Sequence, residues 1–153
     1  MTGNDLTIRL GEARDISNIA AFSAKMAEET EDLHLERSTV QRGVEAVVRD
    51  PKKGFYLVAE KGNRMVGQLA VVFEWSDWSN NHFWLMQGVY VDKAHRGQKV
   101  FSQLFRRMVD MAKERREVAG LRFYVAKDNE SAKRIYAALG VKNPSHHMYE
   151  MEF

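Results

Sequence analysis

What most constrains the fold of this chain is a change of apolar period between residues 54 and 113. Residues 55–60, 65–73 and roughly 82–91 are rich in β-branched and aromatic side chains and read as strands. The first two are joined across Lys61-Gly62-Asn63-Arg64, a short polar turn, and so form a hairpin, while polar residues 76–81 lead into the third. After Gly97 the period becomes helical: Val100, Leu104, Met108 and Met111 share one face, with Phe101, Phe105, Val109 and Ala112 beside them. A helix with so broad an apolar face must lie on a sheet, and the strands just before it supply one.

The flanks extend this pattern. Residues 6–10 alternate as a short strand, and Asp15 opens a helix carrying Ile16, Ile19, Ala20, Phe22 and Met26 at helical spacing. A second helix is expected to begin near Ser38, where Ser38 and Gln41 have capping-box spacing and Val40, Val44, Val47 and Val48 make the stripe; Asp50-Pro51 stops it. Downstream, a strand over 121–125, a helix from Asn129 through Leu139 ended by Gly140, and a last strand over 147–153 complete the order. This predicts one α+β domain over residues 1–153, with a central mixed, mostly antiparallel sheet flanked by about four helices. A chain of 153 residues can bury such a core without staples.

Several function classes drop out. With no cysteine there is no disulfide framework, thiolate metal site or cysteine nucleophile, and the five histidines lack metal-ligand spacing, so no metal is expected. No serine, histidine and acid suggest a triad. The first residues lack a basic segment followed by an apolar one, and no run of about 18 apolar residues occurs, so a cytoplasmic protein without a membrane partner is expected. The net charge of +2 decides nothing, but its placement is uneven. Glu28, Glu29, Glu31 and Asp32 cluster at the end of the first helix, and Arg106, Arg107, Lys113, Arg115 and Arg116 on and after the strong one. The basic face lacks any nucleic-acid motif and reads as a solvated helix surface, so no nucleic acid is expected.

Chemistry becomes visible at Val89-Tyr90-Val91, where a strand feeds through a basic, glycine-containing loop into the strong helix. The first N-H groups of a helix have no internal partner and sit at the positive end of its dipole, so a pyrophosphate can be bound there largely by main chain. An ordinary strand-to-helix connection is the competing reading. The segment Val89-Tyr90-Val91 with Arg96-Gly97-Gln98-Lys99-Val100-Phe101 resembles the CoA-binding motif A of the GNAT acetyltransferases, with Arg96 at its first position. Lys99 stands where that pattern has a glycine and Phe101 where it has glycine or alanine. Lysine can keep its N-H as a donor only if its φ stays ordinary; its ammonium is expected to take part of the phosphate contact, and Phe101 to pack into the core. Asn129-Glu130-Ser131-Ala132, followed by Tyr136 and Gly140, is similar to motif B of the same family; read without the resemblance, Asn129 is an N-cap, Tyr136 a half-buried aromatic and Gly140 a C-cap.

The resemblance spans nearly the whole chain and implies a GNAT fold, acetyl-CoA as the acetyl donor and an amine acceptor. It further implies that Asn129 contacts the pantetheine arm, that Ala132 belongs to the same cofactor-binding segment, that a backbone N-H near Val89 polarises the thioester carbonyl, and that Tyr136 protonates the departing sulfur. The layout is similar to that of diamine acetyltransferases and to a prokaryotic branch with Glu-Trp-Ser-Asp-Trp ahead of Gln-x-Val-Tyr-Val. In the former a glutamate aligns with Gln87, which cannot take a proton. An alkyl ammonium has a pKa near 10, so a base or water chain is needed, and Glu74 is the candidate against its reading as a solvated strand-end carboxylate. Trp75, Trp84 and Gln87 are candidates for the wall of an acceptor pocket, with core packing as the alternative for the aromatics, and Glu28 and Asp32 are candidates to attract a cationic amine. The acceptor expected from this resemblance is a small-molecule or protein amine, and a homodimer is compatible with it. A non-catalytic acyl-CoA-binding module, suggested by Lys99 and Gln87, is the alternative function.

Overall fold

The computed structural model describes residues 5–153, which divide into a unit through Phe123 and a second, Tyr124–Phe153. The first contains β1 (Leu6–Leu10), α1 (Ile16–Glu31), α2 (Arg37–Arg49), β2 (Gly54–Lys61), β3 (Arg64–Ser76), β4 (Asn81–Val91), α3 (Val100–Lys113) and β5 (Val118–Phe123). Its five strands form one sheet in the order β1-β2-β3-β4-β5, antiparallel except for the last pair. Parallel strands need a crossover, and α3 provides it between β4 and β5. The β2-β3 hairpin closes through Gly62 (φ 54°) and Asn63 (φ 62°), the pair of left-handed residues that a two-residue turn requires to match strand twist.

Alternation along the strands sends neighbouring side chains to opposite faces, each with its own core. Leu57, Leu69, Val71, Trp84 and Met86 pack with Val100, Leu104 and Met108 of α3, while Val58, Met65 and Tyr90 pack with Ile16, Ile19, Phe22 and Val44 of α1 and α2. Leu104 and Met108 are fully buried, and each contributes about 1.5–3 kcal/mol by leaving water. At the β1 edge of the sheet, Arg9 of β1 donates to Asp15 (2.7 Å) and to Glu60 of β2 (2.7 Å), fastening the start of α1 to the first two strands.

Three expectations are corrected. The cap of α2 is Glu36, whose carboxylate accepts from the Ser38 and Thr39 N-H groups at 3.0 and 2.7 Å; its two-carbon stem reaches the first turn from two residues before Ser38, the cap that the sequence suggested. Strand β5 begins at Val118, because its ladder to β4 starts at His82↔Val118, before the apolar run used to place it. Residues 141–153 form no strand: alternation in the last seven residues sets two faces but supplies no ladder partner. The second unit contains α4 (Glu130–Ala138).

Candidate active site at the end of strand β4

Strand β4 changes character at Gly88. Upstream it is paired on both sides, with the β5 ladder running to Met86↔Phe123. On the β3 side, Ala70 faces Gln87 and Gln68 faces Tyr90, so Leu69 opposes two residues, Gly88 and Val89. This is a β-bulge, and its extra residue has φ 61°, where a side chain would be strained. A glycine inside an otherwise strand-like run was the sequence signal for it. Beyond Met86, β4 continues with β3 alone as its strand partner among the described residues.

After Val91 the chain makes a short 3-10 turn over Lys93–His95, passes Gly97 (φ 76°) and enters α3 from Lys99. Lys99 adopts φ 63° and ψ 22°, so the condition of an ordinary φ is not met: this loop needs a left-handed residue just before the helix, and lysine accepts the steric cost. The opening of α3, residues 89–91 and 95–97, and Met26, Glu29 and Thr30 of α1 line a cleft of about 680 Å³. Phe101 lines that cleft and packs against the core, its ring 5.8 Å from that of Phe105. Val100 is buried beneath the loop, anchoring the first turn of α3. Relief of backbone strain predicts that Lys99→Gly melts a few degrees higher, for about 1 kcal/mol. If the ammonium meets phosphate, the same variant binds CoA about fivefold more weakly, an effect that shrinks in high salt; equal or tighter binding by calorimetry would exclude that contact.

Charge in the cleft is organised around Glu29, a residue of the acidic cluster given no separate site role by the sequence. Its carboxylate takes Arg96 Nη2 at 2.7 Å, Lys93 Nζ at 3.3 Å and the Tyr90 hydroxyl at 3.1 Å. The Arg96 hydrogen bond, aided by Lys93 and Tyr90, holds this carboxyl below the usual glutamate range. Arg96 also donates through Nε to the Val91 carbonyl (2.9 Å) and lies 5.3 Å from the Tyr90 ring centroid. The motif arginine is thus oriented before any ligand arrives, with Nη1 outside these two hydrogen bonds. Gln98 donates through Nε2 to the Ala94 carbonyl (3.2 Å) and accepts through Oε1 from Lys61 of β2 (3.4 Å).

The expected acceptor residues separate. Trp84 is 3% exposed and lies in the core against Phe55 and Phe73, whereas Trp75 is exposed and meets the His82 ring edge-on at 4.9 Å. Gln87 is exposed on β4. Glu74 shares its face of the sheet by register but lies four residues further along β3 than Ala70, the partner of Gln87, roughly 13 Å along the strand. There Glu74 pairs with Arg122 of β5, whose guanidinium stacks 3.7 Å from the Phe83 ring centre. Glu28 pairs with His34 at 3.2 Å, and Asp32 ends α1 in a left-handed conformation.

In the second unit, Asn129 caps α4 by accepting from the Ala132 N-H at 3.1 Å, as its sequence reading without the family suggested. Its carboxamide nitrogen remains the polar atom that can meet a ligand. Tyr136 follows two turns later on the same helix, and burial pushes its phenol above the ordinary tyrosine value. Among the described residues no group of three or more histidines and acids has metal-holding geometry, and no helix is long and apolar enough to cross a membrane.

The sequence model of the acetyltransferase (GNAT) family matches residues 14–141, and the chain belongs to this family. A possible acetyltransferase from Clostridium difficile 630 is 35% identical, with 97% of each chain covered and a TM-score of 0.88. A transcriptional regulator from Bacillus halodurans C-125 is 27% identical over 97% of this chain and 99% of its own, with a TM-score of 0.78. A predicted acetyltransferase with acetyl-CoA from Clostridium acetobutylicum shares the fold at 16% identity, 95% and 96% coverage and a TM-score of 0.76. No curated protein matches the sequence. Family and acetyltransferase neighbours together make this chain a GNAT acyltransferase.

Proposed function

We propose that this enzyme transfers the acetyl group of acetyl-CoA directly to a primary amine of a small molecule or protein. The observation that carries this reading is the cleft at the β4-α3 junction, where the first turn of α3, Arg96 and Lys99 meet beside a strand that has left its β5 partner. The donor set fits a pyrophosphate: main-chain N-H groups of a helix start for the oxygens, with fixed and mobile cations beside them. Val89, Tyr90, Val91, Gly97, Gln98, Val100 and Phe101 would complete the donor site, and Asn129, Ala132 and Tyr136 would serve the pantetheine and thioester end.

Attack of a neutral amine on the thioester forms a C-N bond as the C-S bond breaks, and the sulfur leaves with a proton. Tyr136, kept protonated by its raised pKa, is the proposed source of that proton. Glu74 is the proposed final acceptor of the amine proton, reached through water from the Gln87 end of the face. Glu28, Asp32, Trp75 and Gln87 remain the acceptor-side candidates, and a cationic amine suits their charge. Trp84 is left out because its ring is in the core.

Two residues favour a second reading, an acyl-CoA-binding module with weakened catalysis: Gln87 carries no base, and Glu74 is engaged with Arg122. Turnover separates the readings. Acetyl-CoA at about 100 times its dissociation constant should stabilise the fold by roughly 2.7 kcal/mol in a thermal melt. Thiol release should then appear with members of a panel of cationic amines. Stabilisation without thiol release from any amine supports the binding module, and an unchanged melt at millimolar CoA removes both.

A further inference from the structure

Gln68 is an oddity in the sheet. It is wholly buried, on β3 opposite Tyr90 of β4 and within reach of Ser23 of α1, yet it carries an amide. Its Nε2 donates to the carbonyl oxygen of Gly88 at 3.3 Å and to Ser23 Oγ of α1 at 3.2 Å, while Oε1 has no partner among the described protein atoms. Turning the amide over would set Oε1 against the Gly88 oxygen, two acceptors face to face, so the bulge carbonyl fixes the orientation. A buried acceptor without a partner is costly, and a leucine or methionine would fill the same space without that cost. The amide is explained by what it holds.

What it holds is one peptide plane. The bulge takes Gly88 out of the regular β3 ladder, which leaves its carbonyl in need of a partner, and Gln68 is that partner. The peptide between Gly88 and Val89 is trans, so its N-H points opposite to its C=O. With the Gly88 oxygen drawn towards β3 and α1, the Val89 N-H is turned away from them, to the side on which β4 has no strand partner beyond Met86 among the described residues. A donor bonded to the carbonyl also polarises the amide and strengthens its N-H.

We propose that Gln68, fixed by Ser23, is a positioning residue for acetyl transfer: it locks the bulge peptide so that the Val89 N-H is aimed at the thioester oxygen as negative charge builds on it. This deepens the acetyltransferase reading and rests on it. An aimed donor of this kind contributes about 100- to 1,000-fold to the rate when removed outright, and loosening its plane forfeits part of that.

The test uses the full chain with Gln68→Met and Ser23→Ala, read by calorimetry, single-turnover transfer and the infrared carbonyl stretch of bound acetyl-CoA labelled with carbon-13 at the carbonyl. Wild type is expected to shift the stretch below its value in water. Gln68→Met should bind acetyl-CoA within about threefold of wild type, lose most of that shift and transfer roughly 10- to 100-fold more slowly. Ser23→Ala, which leaves the amide in place but less constrained, should fall between the two, and it carries the test if Gln68→Met fails to fold. A folded variant with wild-type shift and wild-type rate overturns the proposal, as does wild type that binds acetyl-CoA with no shift. Absence of acetyl-CoA binding by wild type is a separate result: it removes the donor-site reading on which the proposal stands.

Discussion

Tyr136→Phe is expected to slow the chemical step by about 100- to 10,000-fold while leaving acetyl-CoA affinity nearly unchanged. The substitution deletes one oxygen and keeps the ring, so packing of α4 is preserved. A leaving thiolate needs a proton at neutral pH, and a tyrosine whose phenol is pushed up by burial is fully protonated there. The raised value also means that the acid is lost only above the ordinary phenol range, so a fall in rate at alkaline pH should begin above about pH 10 and vanish in the variant. Single-turnover rates and denaturation midpoints measured on the same samples separate this role from a structural one. A purely structural hydroxyl would cost about 1 kcal/mol of stability and leave the rate per folded molecule at the wild-type value.

The second large effect concerns stability. Arg9→Met is expected to destabilise the fold by about 3–5 kcal/mol at pH 7, which for a chain of this size lowers the melting temperature by roughly 10 °C. Arg9 holds two carboxylates, and Asp15 is only 4% exposed. Burial on its own would raise the Asp15 carboxyl; the Arg9 hydrogen bonds and the Glu12 N-H outweigh it and hold the carboxyl below the usual aspartate range. In wild type this pairing therefore contributes stability above about pH 4, where unfolded aspartate is ionised, and loses it as pH falls through the lower folded value. In the variant the sign reverses. An unpaired buried carboxylate titrates above its unfolded value, so the variant is least stable where Asp15 must be charged. The gap between the two proteins should narrow as pH drops from 7 towards 4 in urea titrations. A gap that stays constant over that range would show that the loss is packing and not charge.

Much of this enzyme was legible in its sequence, for identifiable reasons. The hairpin at Gly62-Asn63, the amphipathic face of α3 and the cap at Asn129 are local signals, set by φ preference, side-chain period and one short side chain reaching its own helix. Family motifs around Arg96 and Asn129 are short segments of contiguous chain and survive in sequence for the same reason. The places where sequence reasoning failed are those decided by partners far away in the chain. Strand β5 starts where β4 offers a ladder, Trp84 faces α3 because register puts it there, and the run at 147–153 pairs with nothing in its own unit.

The site divides in the same way. That a strand, a glycine loop and a helix would meet near residues 89–101 follows from the sequence, because each element is fixed by its own residues. That Arg96 is tied to Glu29, 67 residues away, that Glu74 is held by Arg122, 48 residues on, and that Gln68 grips the bulge at Gly88 were decided only when the chain folded. An ionic or hydrogen-bonded pair depends on two side chains arriving within about 3 Å. Nothing in either local stretch encodes that meeting; the sheet register and the placing of α1 across it do.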